Sequence, residues 1–476
     1  MKSLFKILLS LLLYISAQGQ TYFNKTYDFL NIPNNAGSHL LLPNHSILLP
    51  TTYNQQNGVG TIAFIYTDTL GDTLFSKTIS SPNTFYNISS ASPVYDTYDS
   101  AIAFACASID GSNNMNSFIC KLNLNGDTIW TINIDSLGYD LIHAILVDTN
   151  DYIFIGLTNS FGSGLYDVLF VKISKTGIIL QTTAIGTAQP EAAISACFSS
   201  DGNILISGAE NSDDLLMKID RNGNLIWRHT YPLGMGQCFV TEAPNSDILL
   251  SSSTAGPANT DNLVLRKTNS NGTIVWERTY INTNAYVAST NSLHISQNGF
   301  LYLTTTSTYL SVSSGVLWCF SPTGDSLWSA QYTSTPGLDA YFYHLSPFPG
   351  GGFLMSGFAD TPNQYNNAWL VRVDSNGCLV PGCPNSVEEL ELDEDMRIMI
   401  SPNPASDQVT IYLPQQSTGK SNIQIITTTG QKIEGYSTTV LKEITIDTRN
   451  LQQGIYMIIY NTENGVQLSE KLIIAR

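Results

Sequence analysis

The side chains of this chain best suited to chemistry are its carboxylates. Only 12% of the 476 residues are charged, and 38 Asp and Glu stand against 21 Lys and Arg, a formal net charge of -17. Asp96, Asp140, Asp148, Asp167, Asp201 and Asp339 fall at expected strand ends and loops. Two such acids donated by separate segments could serve glycosidic bond cleavage without leaving a linear motif, although turns recruit Asp equally for local hydrogen bonds. The six histidines are His39, His45, His143, His229, His294 and His344. Of these, His143, His294 and His344 precede inner hairpins, from which they could converge on a central channel for metal or acid–base work. No GxSxG elbow and no HExxH pair occurs, so the readable signatures of serine and zinc hydrolysis are missing. Cys378 and Cys383 enclose LVPG and are expected to form a disulfide. Cys106, Cys120, Cys197, Cys238 and Cys319 are scattered singly and read as buried thiols. DRNGN at 220–224 and the acidic run from Glu388 to Asp395 lack the full ladder of oxygen ligands that calcium loops use. No metal and no cofactor is expected, and the acidic balance excludes nucleic acid as a partner.

Any such side chains must be positioned by strands, because one hairpin recurs along the chain. Its turn glycines are Gly71, Gly126, Gly177, Gly223, Gly272, Gly324 and Gly377, at spacings of 55, 51, 46, 49, 52 and 53 residues. That is the period of a four-stranded propeller blade. Asn125, Asn222, Asn271 and Asn376 precede four of these glycines, and Asn-Gly is expected to make tight two-residue turns with positive φ. Four residues after the glycine stands Phe75, Trp130, Trp227, Trp276 or Trp328, with Leu180 one residue early in the third repeat. These rings are expected to wedge between neighbouring blades. Five residues before the glycine, Lys121, Lys172, Lys218, Lys267 and Arg372 form a second column, read as partly exposed with snorkelling stems. The last repeat breaks off into CLVPGC, while FNKTY at 23–27 parallels WRHTY at 227–231, so the N-terminal segment is expected to complete the last blade.

Both ends of the chain point to export. Residues 1–19 carry Lys2 and Lys6, then an apolar run and small residues, as a cleaved signal peptide does. No later segment reaches the ~20 apolar residues of a transmembrane span. Pro402, Asn403 and Pro404, then Gly430, then Leu451, Gly454 and Tyr456 as LxxGxY, then Lys471 in KLIIAR follow in order to the terminus. This set resembles the C-terminal sorting domain of proteins exported by the type IX secretion system, which implies passage across the outer membrane through that machinery. The body resembles, in architecture, secreted bacterial propellers with delta-type or quinoprotein-like repeats. NLNGDTIW at 123–130 is similar to the docking motif of quinone-dependent dehydrogenases, but no two cysteines are adjacent and no ligand set accompanies it.

The expected organisation is all-β: signal peptide 1–19, a seven-bladed β-propeller over 20–383, an acidic linker over 384–395, and a small β-sandwich over 396–476. The expected function is a secreted or cell-surface binding or adhesion module for a glycan or protein. The alternatives are a glycoside-active enzyme on a propeller scaffold and a structural surface-layer component, and enzymatic activity is left open. Ser112 to Asn116, Tyr341 to His344 and Trp369 are the first candidate ligand positions, with Trp318 beside them.

Overall fold

A hairpin needs a turn residue that tolerates left-handed backbone, and here one glycine per repeat meets that need. The computed structural model describes residues 22–28, 32–380 and 399–475, short loop stretches excepted. The seven turn glycines have φ between 75° and 88°. Each donates its N–H to the carbonyl three residues back, at Asp68, Asn123, Ser174, Asp220, Asn269, Ser321 and Asp374. The side chain of that residue caps the turn, as where Asp68 Oδ1 accepts from Leu70 and Asp72 at 2.8 and 2.9 Å. The preceding asparagines do not share the positive φ. The loops are therefore three-residue turns ending in a glycine bulge, not the two-residue turns expected from Asn-Gly, and the strand register shifts beside them.

The chain forms two compact units, Met1–Asn385 and Ser386–Arg476. Seven antiparallel sheets are described in the first, and we number them blades 1 to 7 in chain order. Blade 3 runs Asp140–Val147, Asp151–Thr158, Asp167–Ser174 and Ile179–Ile185, and blade 4 runs Glu191–Phe198, Ile204–Glu210, Asp213–Ile219 and Leu225–Tyr231. Blade 7 has Ala340–Pro347, Phe353–Asp360 and Asn366–Val373, and its fourth strand is Phe23–Tyr27 from the other end of the chain. Seven buried clusters fill the seams. One joins Phe64 to Phe104, the next Ile119 to Phe154, and so on until Phe23, Leu354 and Leu370 meet Ile47 and Ile65. The middle strands of the blades are thereby covered on both faces, the outer strands are largely exposed, and the cycle of seams closes as a propeller does.

The turn glycine of each blade sits against a large side chain of the blade before it. A methyl group on Gly177 would lie 3.0 Å from Trp130, on Gly324 2.8 Å from Trp276, and on Gly377 2.9 Å from Trp328. Where Leu180 replaces the aromatic residue, Phe170 comes within 3.2 Å of that point on Gly223. Phe75 stacks on Tyr66 at 4.4 Å, and Tyr66 and Lys77 are nearest to Gly126. Trp227 packs beside His229, which is nearest to Gly272. A tyrosine four residues beyond this column clamps four seams. Tyr27, Tyr231, Tyr280 and Tyr332 donate their hydroxyls to the carbonyls of Gly71, Gly272, Gly324 and Gly377.

The second unit has a three-stranded sheet, Met399–Ser401, Gln408–Tyr412 and Glu443–Asp447, and a four-stranded sheet. The latter orders Lys432–Thr439, Lys420–Thr427, Gly454–Thr462 and Gln467–Ile474. Val409, Ile411 and Ile446 from the first share one core with Ile423, Ile425, Ile458 and Leu472 from the second. This is a small sandwich.

Candidate functional site

The C-terminal motifs come together around the last strand. Asn403 donates its side-chain amide to the carbonyl of Lys471 at 2.7 Å and accepts from the N–H of Ile473 at 2.8 Å, so one side chain satisfies two edge groups of that strand. Ala405 then donates to Ile473 and accepts from Ala475, which extends the clasp. Leu451 and Tyr456 are buried in the sandwich core, and the Tyr456 hydroxyl donates to the Gln452 carbonyl at 2.9 Å. Gly454 opens the strand that pairs with Lys471's strand. Pro402, Asn403, Pro404 and Lys471 are exposed. The ordered motif thus has a folding part, Leu451 and Tyr456, and a displayed part at the proline turn and Lys471. Gly430 lies outside the described residues.

In the propeller unit two histidines, His39 and His344, come together, but among the described residues no group of three metal-ligating side chains forms. His143 occupies a bulge in the first strand of blade 3, and His344 follows the corresponding bulge of blade 7, where Tyr343 is the extra residue. His143 Nδ1 lies 2.6 Å from the carbonyl of Ala193 in blade 4, and burial holds its pKa down. Asn291, at a corresponding bulge of blade 6, donates to the carbonyl of Phe342 in blade 7 at 2.6 Å. His344 meets His39 of blade 1, ring centroids 4.5 Å apart, and His39 contacts Ser356 and Ser346 at 2.9 and 2.6 Å. These side chains stitch each inner strand to the next. In blades 3, 4 and 7 a glycine opposite the bulge makes room: a methyl on Gly156, Gly208 or Gly357 would lie within 1.9 Å of a main-chain oxygen, whereas blade 6 has Thr305 there. That glycine, in FIGL, ISGA and MSGF, is the sequence signal for the bulge.

Most of the shortlisted carboxylates are likewise structural. The basic column, expected to be partly exposed, is so at Lys172 and Lys267 but buried at Lys121, Lys218 and Arg372. Four of its members pair with an aspartate of the same blade: Lys121 with Asp99 at 2.5 Å, Lys172 with Asp151 at 3.5 Å, Lys218 with Asp201 at 2.6 Å and Lys267 with Asp247 at 2.7 Å. Asp148 pairs with Arg221 at 2.6 Å. Asp96 is fully buried; burial would raise its pKa, but hydrogen bonds from Lys175 and Tyr152 prevail and hold it below the usual range. These contacts lie at the glycine-turn end of the blades. Asp140, Asp167 and Asp339 lie at the opposite end, Asp140 accepting from Ser160 at 2.7 Å and Asp339 from the N–H of Ser313 at 2.6 Å. The six acids are thus divided between two ends, and Asp96, Asp140 and Asp167 are at most 1% exposed.

Two other ligand candidates are internal. Trp369 is fully buried, stacked on Phe342 at 4.3 Å with its indole N–H donated to Asn24 at 2.6 Å. Trp318 stacks on Phe320 and donates to Thr305. Tyr341 packs on Phe358 and donates to Ser313, while Tyr343 is 37% exposed. Ser112 lies outside the described residues. Cys378 is disulfide-bonded, and its expected partner Cys383 lies outside the described residues. The other five cysteines are free, and burial pushes Cys197 and Cys319 up to about 12, which makes them poor nucleophiles at neutral pH.

Large apolar side chains face solvent at the outer strands beside the glycine turns, as Leu74, Ile129, Ile178 and Val275 do, and also on loops around blades 3 and 4 at the opposite end. Leu165 is 73% exposed, and Tyr139, Phe161, Tyr166 and Met235 are exposed beside it in sequence or on adjoining loops. Hydrogen bonds hold this surface. Tyr139 donates its N–H to the Asn159 side chain at 2.6 Å, and Asn159 returns an N–H to the Tyr139 carbonyl at 3.0 Å. Glu191 donates to the Tyr166 carbonyl, and Asn211 to that of Pro190, both at 2.8 Å.

Comparison with known proteins gives the second unit a family. Residues 399–475 match the secretion system C-terminal sorting domain. No curated protein matches the chain. Similar solved structures include a protein of unknown function from Bacteroides caccae, 15% identical over 65% of this chain and 98% of that one, TM-score 0.38. A putative 6-phosphogluconolactonase from Bacteroides uniformis is 11% identical over 72% and 97%, TM-score 0.40. The WD40 domain of SCAP from fission yeast is 9% identical over 75% and 98%, TM-score 0.40. The chain therefore carries a type IX sorting domain and is secreted or attached at the outer-membrane surface. Among the described residues no helix is long and apolar enough to cross a membrane.

Proposed function

We propose that this protein is displayed outside the cell as a binding module, whose propeller engages an extracellular glycan or protein without turning it over. The exposed cluster of Phe161, Leu165 and Tyr166, with Tyr139 and Met235 on adjoining loops, carries the reading. Apolar and aromatic side chains held outward by a hydrogen-bonded loop framework are an unfavourable surface for a monomer and a suitable one for recognition. The burial of Asp96, Asp140 and Asp167 supports binding over hydrolysis, because a sugar cannot reach carboxyls that water does not reach.

The test uses the intact mature chain with a panel of polysaccharides, glycosides and extracellular proteins. Leu165→Ser with Tyr166→Ala is expected to weaken binding of the captured ligand at least about tenfold, the loss of one or two anchor side chains, with an unchanged Tm. Release of product, abolished when two carboxylates are changed to amides, would overturn the reading in favour of a glycosidase. Deleting residues 396–476 is expected to leave the remainder in the periplasm, and normal surface display of that deletion would contradict the export half of the proposal.

A further inference from the structure

Behind the exposed loops, two carboxylates from adjacent blades converge with too little positive charge to neutralise them. Asp167 begins the third strand of blade 3 and Glu191 the first strand of blade 4; they are 1% and 0% exposed. Each has one oxygen satisfied and one bare. Asp167 Oδ2 accepts from the N–H groups of Ser163 and Gly164 at 2.8 and 3.1 Å. Glu191 Oε1 accepts from the N–H and hydroxyl of Thr187 at 3.0 and 2.6 Å and from Arg228 at 3.2 Å. Among the described residues, Asp167 Oδ1 and Glu191 Oε2 have no hydrogen-bond partner. Both point at Gly186, where a methyl group would lie 1.9 Å from the former and 2.9 Å from the latter. The missing side chain is what lets the two bare oxygens approach a common point.

Charge does not balance there. Arg228 contacts both Glu191 and Glu210, so one guanidinium serves three carboxylates when Asp167 is included. Two like charges buried at close range are unstable unless a cation or a proton joins them. The carbonyls of Gln189 and Thr187 lie 2.6 and 3.0 Å from the methyl position of Gly164, whose own N–H bonds to the other oxygen of Asp167. Two carboxylates with main-chain carbonyls and water suit a hard cation, and the flexible, oxygen-only demand of calcium fits a site built from two loops.

We propose that Asp167 and Glu191 form a calcium site that ties the loop 159–166 to the loop 186–190. The ion neutralises the pair and fixes the two loops that hold Phe161, Leu165 and Tyr166 outward. The site stands whatever those loops bind.

The experiment follows thermal unfolding of the intact protein in calcium chloride or EGTA, with magnesium chloride as the control, and titrates terbium luminescence sensitised by nearby tyrosines. At about ten times the Kd, calcium is expected to raise Tm by roughly 2–4 °C. Calcium is also expected to displace the terbium signal. Asp167→Asn combined with Glu191→Gln is expected to lose both responses, whereas Asp148→Asn keeps them. Absence of a calcium response and of displaceable terbium in the wild type overturns the proposal. So does a Tm in EGTA that rises on acidification from pH 8 to 5 without any calcium response, which would mean that the pair shares a proton. A calcium response retained in full by the double variant places the ion elsewhere and also overturns it. If the double variant does not fold, the wild-type terbium and Tm readings decide.

Discussion

Truncation of Phe23 should open the ring. This residue is 8% exposed at the start of the strand that completes blade 7, with its ring about the turn of blade 1, where a methyl on Gly71 would lie 2.8 Å away. Buried Phe→Ala changes cost about 3–5 kcal/mol, and the seam has backbone on both sides that restricts collapse into the void. Tyr27→Phe separates the hydrogen bond from the packing. It removes only the hydroxyl that donates to the Gly71 carbonyl at 2.8 Å, leaving a buried acceptor bare at a cost of about 1–2 kcal/mol. Thermal and urea unfolding of the propeller should therefore rank Phe23→Ala below Tyr27→Phe below wild type. The first is expected to fall by roughly 4–7 °C and the second by roughly 1–3 °C. Leu74→Ala, at a position 56% exposed on the outer strand of blade 1, provides the control and should stay within about 0.5 kcal/mol of wild type. If Phe23→Ala behaves like Leu74→Ala, the N-terminal strand does not hold the last blade and the closure reasoning fails.

Acid should weaken the same seam through its histidines. His39 and His344 are kept neutral, burial lowering both and the charge of one further lowering the other, His344 to about 4 from an ordinary 6.5. An unfolded chain protonates them first, so this contribution is complete above pH ~6.5 and declines as pH falls toward 4, by on the order of 2 kcal/mol for His344. His344→Gln should flatten that part of the stability curve measured by urea titration between pH 7 and 4; an unchanged slope would refute it. Gly208→Ala places a methyl 1.9 Å from the main-chain oxygen of Ala192 and is expected to lower the urea midpoint by an amount equivalent to about 2–3 kcal/mol. A neutral effect would show that the bulge can shift without loss.

The turns and their period were plain in the sequence, because a positive φ leaves a glycine and an Asx or Ser cap at fixed places. What escaped was the pairing of columns. Lys218 looked like a surface lysine because its partner Asp201 lies in another hairpin, and nothing local announces an ion pair across that distance. The clamping tyrosines were visible as FNKTY, WRHTY and WERTY, yet their partner is a carbonyl of the next blade, which every residue possesses. His143 advertised chemistry through residue type, whereas its role comes from a bulge whose only trace is a glycine in the neighbouring strand. Trp369 stood outside the aromatic column and so read as a ligand platform, but a third strand of a blade is covered on both faces. The convergence of Asp167 and Glu191 depends on the absence of a side chain at Gly186, and an absence carries no residue-type signal.

The closing strand also sets an order of events in time. Asn24 bonds to Trp369 across 345 residues of sequence, so one end of the propeller must wait for nearly the other before either has its partner. Loop closure over such a span is slow, and contacts this remote form late. Until then blade 7 lacks a strand and blade 1 lacks a neighbour, leaving two sticky edges on an otherwise assembled body. A protein built this way completes its ring only once the whole propeller sequence is available, and its most aggregation-prone interval is the one just before that closure.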